Sequence, residues 1–388
     1  MRKIFLTAIA LLSMASASVF GMYGVDTDWI FFLTHGNQFR ARLDQLGFTL
    51  GNDTIKGTFG FDNNTSYGGV YGSLFSTADG MYYDFKPSIS MGLGYTSSLI
   101  SVGVGYNVTL GPRLPKQNGK TEEKLVQQAA HTPVLVLNAL DNAFRMAIPI
   151  QVYAFNDKTP DGIKTSINLV SVDSQFRYYT GLDMLPQIRL YLRYGGGNYK
   201  VGAESEKIGE SFGFDFRLYF GSMVEEVALQ PYVRLTYDGA LGKYHTQTRI
   251  EAVSVFTTGN FNVPNNLQLA KSAWNLNLVA GLGLTANSDI VSLYLEPTLG
   301  LKVNQAGSID KNAKEIYSLG YGVYAEIYIT PLKNLEWYFE AQLGNLGGSG
   351  TYTTTDGAGA TTTTTVSLTK LGLGFNATTG ITWYLPAL

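Results

Sequence analysis

The stretch SLISVGVGYNVTL (residues 98–110) alternates apolar side chains with small or polar ones at every second position. The apolar set comprises Ile100, Val102, Val104, Tyr106, Val108 and Leu110. The intervening set comprises Ser101, Gly103, Gly105, Asn107 and Thr109. A period of two predicts an extended strand whose two faces meet different environments. Because the apolar face is so pure, the question is whether it packs against a protein core or against lipid.

The same alternation recurs along the rest of the chain. Further examples are AFRMAIPIQVYA (143–154), FGFDFRLYF (212–220), WNLNLVAGLGL (274–284), VSLYLEPTLGLKV (291–303) and YSLGYGVYAEIYI (317–329). A tilted strand needs roughly 9–11 residues to cross a bilayer, whereas strands of soluble sandwiches are usually nearer 5–6 residues. The length of these runs therefore favours strands that span a membrane.

The connections between these runs alternate between short and long. The short ones are 96–98, 140–142, 182–186, 222–226, 287–289 and 331–334. The long ones are 111–130, 156–164, 195–209, 239–272, 304–314 and 345–363. Outer-membrane barrels show this asymmetry, with tight periplasmic turns and long extracellular loops. A secreted β-sandwich is the competing interpretation, and it explains neither the strand lengths nor the alternation.

The sequence therefore predicts an all-β fold, an antiparallel transmembrane β-barrel of about 16 strands within a range of about 14 to 18. Earlier candidate strands lie near 38–48, 54–61, 68–75 and 81–95. The last stretch, 366–388, could be one long strand or a hairpin that turns at 376–380. Within the long connections, 345–363 is rich in Gly and Thr and is predicted to be mobile. In 111–130, Thr121 could cap a short helix that lies either in the lumen or outside it.

The N-terminus carries the pattern of an export signal. Arg2 and Lys3 precede the apolar run 4–12 and the small residues of 15–17, which predicts a signal peptide over 1–21 with cleavage near 17–21. Residues 22–388 then form a single barrel domain. The chain has no cysteine, which excludes disulfides and thiolate metal ligands. Its net charge of −2 gives no reason to expect a nucleic-acid partner.

The inward positions of the predicted strands carry most of the charge. A basic wall is predicted from Arg145, Arg177, Arg189, Arg193, Arg217 and Arg234. Its acidic neighbours are Asp173 and Asp215, and the following strands contribute Glu296, Lys302 and Glu326. Charged walls set ion preference in pores, so a weak anion preference is one hypothesis. The alternative is that these arginines pair with the acids and fill the lumen. Aromatic residues at the two membrane levels predict a girdle of Trp274, Trp337 and Trp383.

The chain offers little catalytic chemistry. His35, His131 and His245 lie in separate segments with no metal-binding spacing, so neither a metal nor another cofactor is predicted and the protein is not expected to be an enzyme. A hydrolytic site at the barrel rim built on His131 or His245 is the open alternative. Adhesion through aromatic loop residues is another. Its candidates are Phe256, Phe261 and Tyr352.

Two segments near the N-terminus resemble a known family. They are FLTHGNQFRAR (Phe32–Arg42) and QLGFTLGNDTIKGTFGF (Gln45–Phe61), and the signal sequence looks similar as well. They resemble the Serpulina variable surface proteins of spirochaetes. That resemblance implies an abundant outer-membrane antigen, one of several paralogues that vary in sequence, with a role in evading host immunity and no catalytic residues.

Together these features predict a bacterial outer-membrane protein that acts as a variable surface antigen and displays long extracellular loops. The alternative is a general diffusion porin with a weak anion preference. The expected partners are outer-membrane lipid and host antibodies that bind the loops. Association into a homo-oligomer stays open, because lipid and a neighbouring subunit both require apolar residues on the outer face.

Overall fold

A computed structural model describes residues 28–42, 45–63, 87–110, 129–158, 164–253, 268–344, 351–355, 361–365 and 374–386. A short 3-10 helix, η1 (Asp28–Phe31), precedes the strands. The strands are β1 (Gln38–Arg42), β2 (Gln45–Gly51), β3 (Ile55–Asn63), β4 (Pro87–Tyr95), β5 (Ile100–Leu110), β6 (Ala129–Ala139), β7 (Phe144–Lys158), β8 (Lys164–Tyr179), β9 (Gln187–Val201), β10 (Glu204–Tyr219), β11 (Ser222–Val224), β12 (Val227–Ala240), β13 (Trp274–Asn287), β14 (Val291–Gln305), β15 (Ile316–Leu332), β16 (Leu335–Gly344), β17 (Thr351–Thr355), β18 (Thr361–Thr365) and β19 (Gly374–Tyr384). No helix among the described residues has the length and apolar character needed to cross a membrane.

The main sheet closes on itself. Neighbouring strands pair antiparallel along the chain, and β1 pairs with β19 from Gln38↔Tyr384 to Arg42↔Gly380. Strands β10 and β11 both pair with β12 and continue one another along the wall. Counted in this way, the described residues form a closed wall of 16 antiparallel strands, which confirms the predicted barrel.

The apolar face of the alternating strands points outward. In β5, Val104 is 61% exposed, whereas Ser101 and Asn107 on the opposite face are only 3% and 1% exposed. The same inversion holds around the wall, where Leu93 and Leu299 are exposed and small or polar residues are buried. Such a continuous exposed apolar band needs lipid to cover it. The apolar face of residues 98–110 therefore faces lipid.

The barrel has two unlike ends. The connections 52–54, 96–99, 140–143 and 333–334 are short and lie at one end, together with the start of β1 and the close of β19. We call this the short-turn end and the opposite one the long-loop end. The predicted strand 68–75 and the predicted helix at Thr121 lie outside the described residues.

The strands at the two ends of the chain differ in part from those predicted. The single strand predicted over 38–48 is a hairpin, because β1 and β2 pair antiparallel with Phe39 opposite Phe48. Of the two alternatives for the last stretch, the hairpin that turns at 376–380 is wrong, and the strand is observed over Gly374–Tyr384. Strand β19 runs straight through these residues, because both of its edges are paired, with β16 on one side and β1 on the other.

Two predicted loops contain regular strands. Residues 195–209 belong almost wholly to β9 and β10, which pair up to Val201 and Glu204 and leave a two-residue turn at 202–203. The glycines of 195–197, which predicted a loop, are strand residues, and Gly195 has a packing role described below. In the Gly/Thr-rich connection, β17 and β18 pair with Thr351 opposite Thr365. Their threonines are β-branched, which favours this extended pairing over the predicted mobile loop.

Lysine substitutions at two adjacent residues of β14 test the direction of the wall. Leu299 points outward, near the middle of the strand, whereas Thr298 points inward. We expect Leu299→Lys to lower the free energy of unfolding by about 2–4 kcal/mol, because its ammonium group enters hydrocarbon. We expect Thr298→Lys to cost much less, since it meets the polar lumen near Glu296. Urea titration of the protein refolded into vesicles measures both. Equal costs at the two positions would contradict the assigned faces.

Candidate functional site

The lumen is the candidate site, and part of it is occupied by the segment that precedes β1. Residues 29–33 are 0–3% exposed and form a hydrophobic cluster with Val134, Val136 and Ala147 of β6 and β7. The rings of Trp29 and Phe32 meet edge to face with centroids 5.7 Å apart. We call residues 29–33 the N-terminal plug.

Glycines on β4 and β5 make room for the N-terminal plug. A Cβ added at Gly105 would lie 2.4 Å from the Trp29 ring, and one at Gly92 would lie 2.7 Å from it. Two residues beyond Gly92 on β4, toward the short-turn end, a Cβ at Gly94 would lie 2.5 Å from Leu33 Cδ2. A glycine within a strand often marks the close approach of another part of the chain. The glycine-rich inner face of β4 and β5 is therefore shaped to receive the plug.

His35 and its neighbours anchor the exit of the N-terminal plug. The imidazole stacks on Phe31 with ring centroids 5.4 Å apart, and the Lys56 ammonium donates to the His35 carbonyl oxygen at 2.5 Å. Burial, and then the positive charges that begin with Arg40, lower the pKa of His35 to about 3. The imidazole is therefore neutral at physiological pH, and it adds no further cation to a region already rich in arginine.

A second segment, residues 245–253, folds into the lumen from the long-loop end; we call it the loop insert. Ile250, Ala252 and Val253 pack in a second hydrophobic cluster with residues of β6 to β10. That cluster includes Ala130, Tyr153, Ile167, Leu169 and Ile208. The insert therefore has an apolar seat inside an otherwise polar lumen.

Side chains of the wall hold the backbone of the loop insert. The amide of Ile250 donates to Ser211 Oγ at 2.8 Å, that of Ala252 to Ser171 Oγ at 2.8 Å, and that of Val253 to Gln151 Oε1 at 3.1 Å. A Cβ at Gly195 would lie only 1.8 Å from the Ile250 carbonyl oxygen. Gly195 thus allows close approach of the insert, which explains a glycine at this position within a strand.

His245 fixes the entry of the loop insert. Its Nε2 accepts a hydrogen bond from the Glu210 amide at 3.1 Å, and its ring contacts Tyr244. Burial lowers the pKa of His245 below its usual value, although hydrogen bonds to the backbone oppose that shift. The neutral ring is the form that can accept the Glu210 amide proton, so burial and the hydrogen bond favour the same protonation state.

Five of the six arginines predicted to form a basic wall lie in one row at facing positions. Directly opposed pairs join neighbouring strands from β7 to β12, close to the short-turn end. The pairs are Arg145↔Arg177, Arg177↔Arg189, Arg189↔Arg217 and Arg217↔Arg234. Like charges placed directly opposite each other destabilise a sheet, so each guanidinium needs compensation.

One half of the wall is compensated by carboxylates. Asp215 is fully buried and accepts from the guanidinium groups of Arg217 at 2.7 Å and Arg234 at 2.6 Å. Arg193 lies one row deeper, with Asp173 and Asp238 each at 3.3 Å. Arginine–carboxylate pairs with several hydrogen bonds hold both partners in defined geometry. This part of the wall is an internal ion-pair network.

The other half of the wall is compensated by aromatic rings. The Arg177 guanidinium lies 4.3 Å from the centroid of the Phe31 ring, which belongs to the N-terminal plug. Arg145 lies 4.6 Å from the Tyr179 ring, and Arg189 lies 4.4 Å from the Tyr219 ring. Cation–π contacts of this kind stabilise a guanidinium but leave its charge in place. Positive charge therefore remains concentrated at the short-turn ends of β7, β8 and β9.

The strands β12 to β16 carry carboxylates that tyrosines hold in place. Glu296 accepts from Tyr232 at 2.9 Å and also from Tyr294, and Glu326 accepts from Tyr328 at 2.9 Å and from Tyr324. Among the described residues, these carboxylates are bonded by tyrosine hydroxyl groups and form no ion pair with a basic side chain. The lumen is thus divided into a basic side and an acidic side.

A cavity of about 360 Å³ remains between β12 and β15. Basic side chains line it at Arg193, Arg234, Arg249 and Lys302. Asp238 is also part of the lining. Arg249, from the loop insert, pairs with Asp173 at 3.0 Å and also with Glu251. The prediction from the sequence missed Arg249 and Asp238, because it treated the first as a loop residue and did not assign the second to the inner wall.

The structure separates the residues predicted for other roles. His131 is exposed on the outer face of β6, where Nδ1 lies 2.5 Å from the Tyr106 hydroxyl, whereas His245 lies in the lumen. Among the described residues no group of three or more His, Asp or Glu side chains could hold a metal ion. Trp337 and Trp383 are half-exposed near the short-turn end, and Trp274 begins β13 at the long-loop end. Their role as an aromatic girdle stays a prediction.

A closed barrel with an apolar outer band, a polar lumen and unequal ends is the architecture of an outer-membrane β-barrel protein. The sequence model of the Serpulina hyodysenteriae variable surface proteins matches residues 2–384, so the chain belongs to this family. No curated protein matches the sequence.

Two solved structures of an outer membrane protein of Vibrio cholerae resemble the chain. The in-vitro folded OmpT shares 10% identity over 90% of this chain and 96% of that one, with a TM-score of 0.34. Its trimer form shares 11% identity over 90% and 98% of the two chains, with a TM-score of 0.33.

A double-mutant cycle tests the seat of the N-terminal plug. We expect Trp29→Ala to lower the free energy of unfolding by about 3–5 kcal/mol, because it leaves a cavity inside the barrel. Gly105→Ala should also destabilise, since its Cβ collides with the Trp29 ring. In the double variant the collision is absent, so its total cost should be less than the sum of the two single costs.

Gly320→Ala is the matched control for this cycle, because the nearest atom to its added Cβ lies 3.7 Å away. It should change the stability little and should add independently to Trp29→Ala. Urea titration in vesicles measures each variant. Additive costs for Gly105→Ala and Trp29→Ala would show that the plug does not sit against this glycine.

Proposed function

We propose that the barrel is a membrane anchor that displays its long-loop end at the cell surface as a variable antigen. Residues 1–21 direct export, and 22–388 form the anchor and the displayed connections. The observation that carries this proposal is that the N-terminal plug and the loop insert occupy the lumen and are bonded to its wall. A barrel whose lumen is partly filled by its own chain is suited to support its loops more than to pass solutes.

The division of constraints along the chain supports variable display. Wall residues must satisfy lipid on one face and the packed lumen on the other, so few substitutions suit both. The tip of the β9–β10 hairpin, residues 202–205, is exposed and lies at the long-loop end of the barrel. Surface connections of this kind accept changes of sequence at small cost in stability. The barrel fold can therefore persist while antibody-binding surfaces change.

A weakly anion-preferring diffusion pore is the second candidate function. The 360 Å³ cavity favours it, because the lining contains four basic side chains and lies between the basic and acidic sides of the lumen. Fixed charges on a pore wall bias which ions enter. Three of these four side chains, Arg193, Arg234 and Arg249, are paired with Asp173, Asp215 or Asp238, which weakens any such preference.

We assign no catalytic role. Support comes from the placement of the histidines, since His131 faces the membrane side and His35 and His245 lie in separate parts of the lumen. Phe256 and Phe261, candidates for adhesion, lie outside the described residues, and Tyr352 lies in β17. Outer-membrane lipid is the partner proposed for the outer band, and antibodies for the displayed connections. Association into a homo-oligomer remains a prediction.

Epitope tags at the two ends test the proposed display. A tag inserted after Gly202 lies in the exposed turn of the β9–β10 hairpin, and one inserted after Asp183 lies in the connection between β8 and β9. On intact cells we expect anti-tag antibody to bind the first and not the second. Permeabilising the outer membrane should expose both tags.

The permeabilised sample is also the control for folding and abundance, because both proteins must then give equal signals. Binding to the Asp183 tag on intact cells, with none to the Gly202 tag, would reverse the orientation and contradict the proposed display. Binding to neither tag before permeabilisation would contradict surface exposure altogether.

A further inference from the structure

A patch of inward side chains on β8 and β9 has a role that display does not explain. Arg177 and Tyr179 on β8 lie directly opposite Arg189 and Gln187 on β9. The side chains of Arg177, Arg189 and Gln187 are only 6%, 3% and 4% exposed. We call these four residues the β8–β9 donor patch.

The donor patch contains buried hydrogen-bond donors that lack acceptors among the described residues. They are Nε and Nη1 of Arg177, Nε2 of Gln187 and the hydroxyl of Tyr179. Buried polar groups in proteins are nearly always hydrogen-bonded, and leaving one unsatisfied destabilises the fold. Three neighbouring side chains on two paired strands therefore carry donors that an added acceptor would satisfy.

The orientation of Gln187 follows from its bond to Arg189. Arg189 Nε donates to Gln187 Oε1 at 2.8 Å, and a guanidinium has no acceptor, so the carboxamide oxygen must face it. The amide nitrogen is then turned away from Arg189 with its protons available. The patch is therefore arranged to present donors rather than acceptors.

The Arg177 guanidinium carries a positive charge that no ion pair with a carboxylate of the described residues balances. Asp215 is committed to Arg217 and Arg234, further along the wall. Arg145 adds a further positive charge, since its guanidinium stacks on the Tyr179 ring. A buried guanidinium beside two others is costly without a counter-charge.

We propose that the β8–β9 donor patch binds a small oxyanion of the phosphate or sulfate type from solution. The Arg177 guanidinium donates to one oxygen of such an anion, and its positive charge favours an anion over a neutral acceptor. Gln187 Nε2 and the Tyr179 hydroxyl donate to the remaining oxygens. Phe31 of the N-terminal plug covers one face of the Arg177 guanidinium, which leaves its N–H edges free to donate.

Calorimetric titration of inorganic phosphate into the refolded full-length chain, at constant ionic strength, tests the proposal. We expect saturable binding to the wild type and an affinity at least ~10-fold weaker in Arg177→Gln, because a charge-assisted hydrogen bond and its positive charge are lost. Gln187→Glu should abolish binding, since it puts a carboxylate where the anion would sit. The same substitution should raise the melting temperature in phosphate-free buffer.

Lys207→Gln is the control, because it removes a positive charge from a half-exposed position on the β9–β10 hairpin. It should bind phosphate as the wild type does. A change in gel migration on heating establishes that each variant has folded. If Arg177→Gln does not fold, Gln187→Glu alone tests the proposal. The proposal is overturned if the wild type shows no saturable heat, or if folded Arg177→Gln and Gln187→Glu both titrate as the wild type does.

Discussion

The structure depends on one constraint, which is that a backbone crossing hydrocarbon must find all of its hydrogen bonds within the protein. Strands meet this condition only when the sheet closes, and here β1 pairs with β19 to remove both edges. Closure then divides every strand into an outer and an inner face. The outer face must be apolar, as Val104 and Leu299 are, and the inner face is left with the small, polar and charged residues. The alternation of apolar and polar residues in the sequence follows directly from this division.

A closed barrel of this size leaves an interior that its wall side chains do not fill. Here the chain fills part of it with its own segments, the N-terminal plug from one end and the loop insert from the other. Glycines on the inner wall provide the space, at Gly105 for Trp29 and at Gly195 for Ile250. The remaining charges are held by each other, by tyrosine hydroxyls or by aromatic faces. The N-terminal plug, which precedes β1, is therefore coupled to the arginines of β7 to β9, because its Phe31 ring stacks on Arg177.

The sequence predicted the barrel because the lipid-facing pattern is local and repeats in each strand. It also placed the arginines on the inner wall, since their parity follows from the same alternation. It could not identify which of them pair with acids, because Asp215 meets Arg234 only through the pairing of β10 with β12. The two insertions were missed for a related reason, as a segment such as 245–253 has no periodic signal of its own. The available clue was in the wall, where Gly195, Gly196 and Gly197 interrupt an otherwise regular strand.

The central claim is that the N-terminal plug and the loop insert close the lumen. Single-channel conductance of the refolded chain in a planar bilayer, under a salt gradient, tests it most directly. We expect the wild type to show no large conductance steps. A variant that combines Trp29→Ala with Gly195→Val should show them, because the first substitution empties the plug site and the second collides with the Ile250 carbonyl of the insert. Large steps in the wild type that the double variant leaves unchanged would contradict the claim and favour an open diffusion pore.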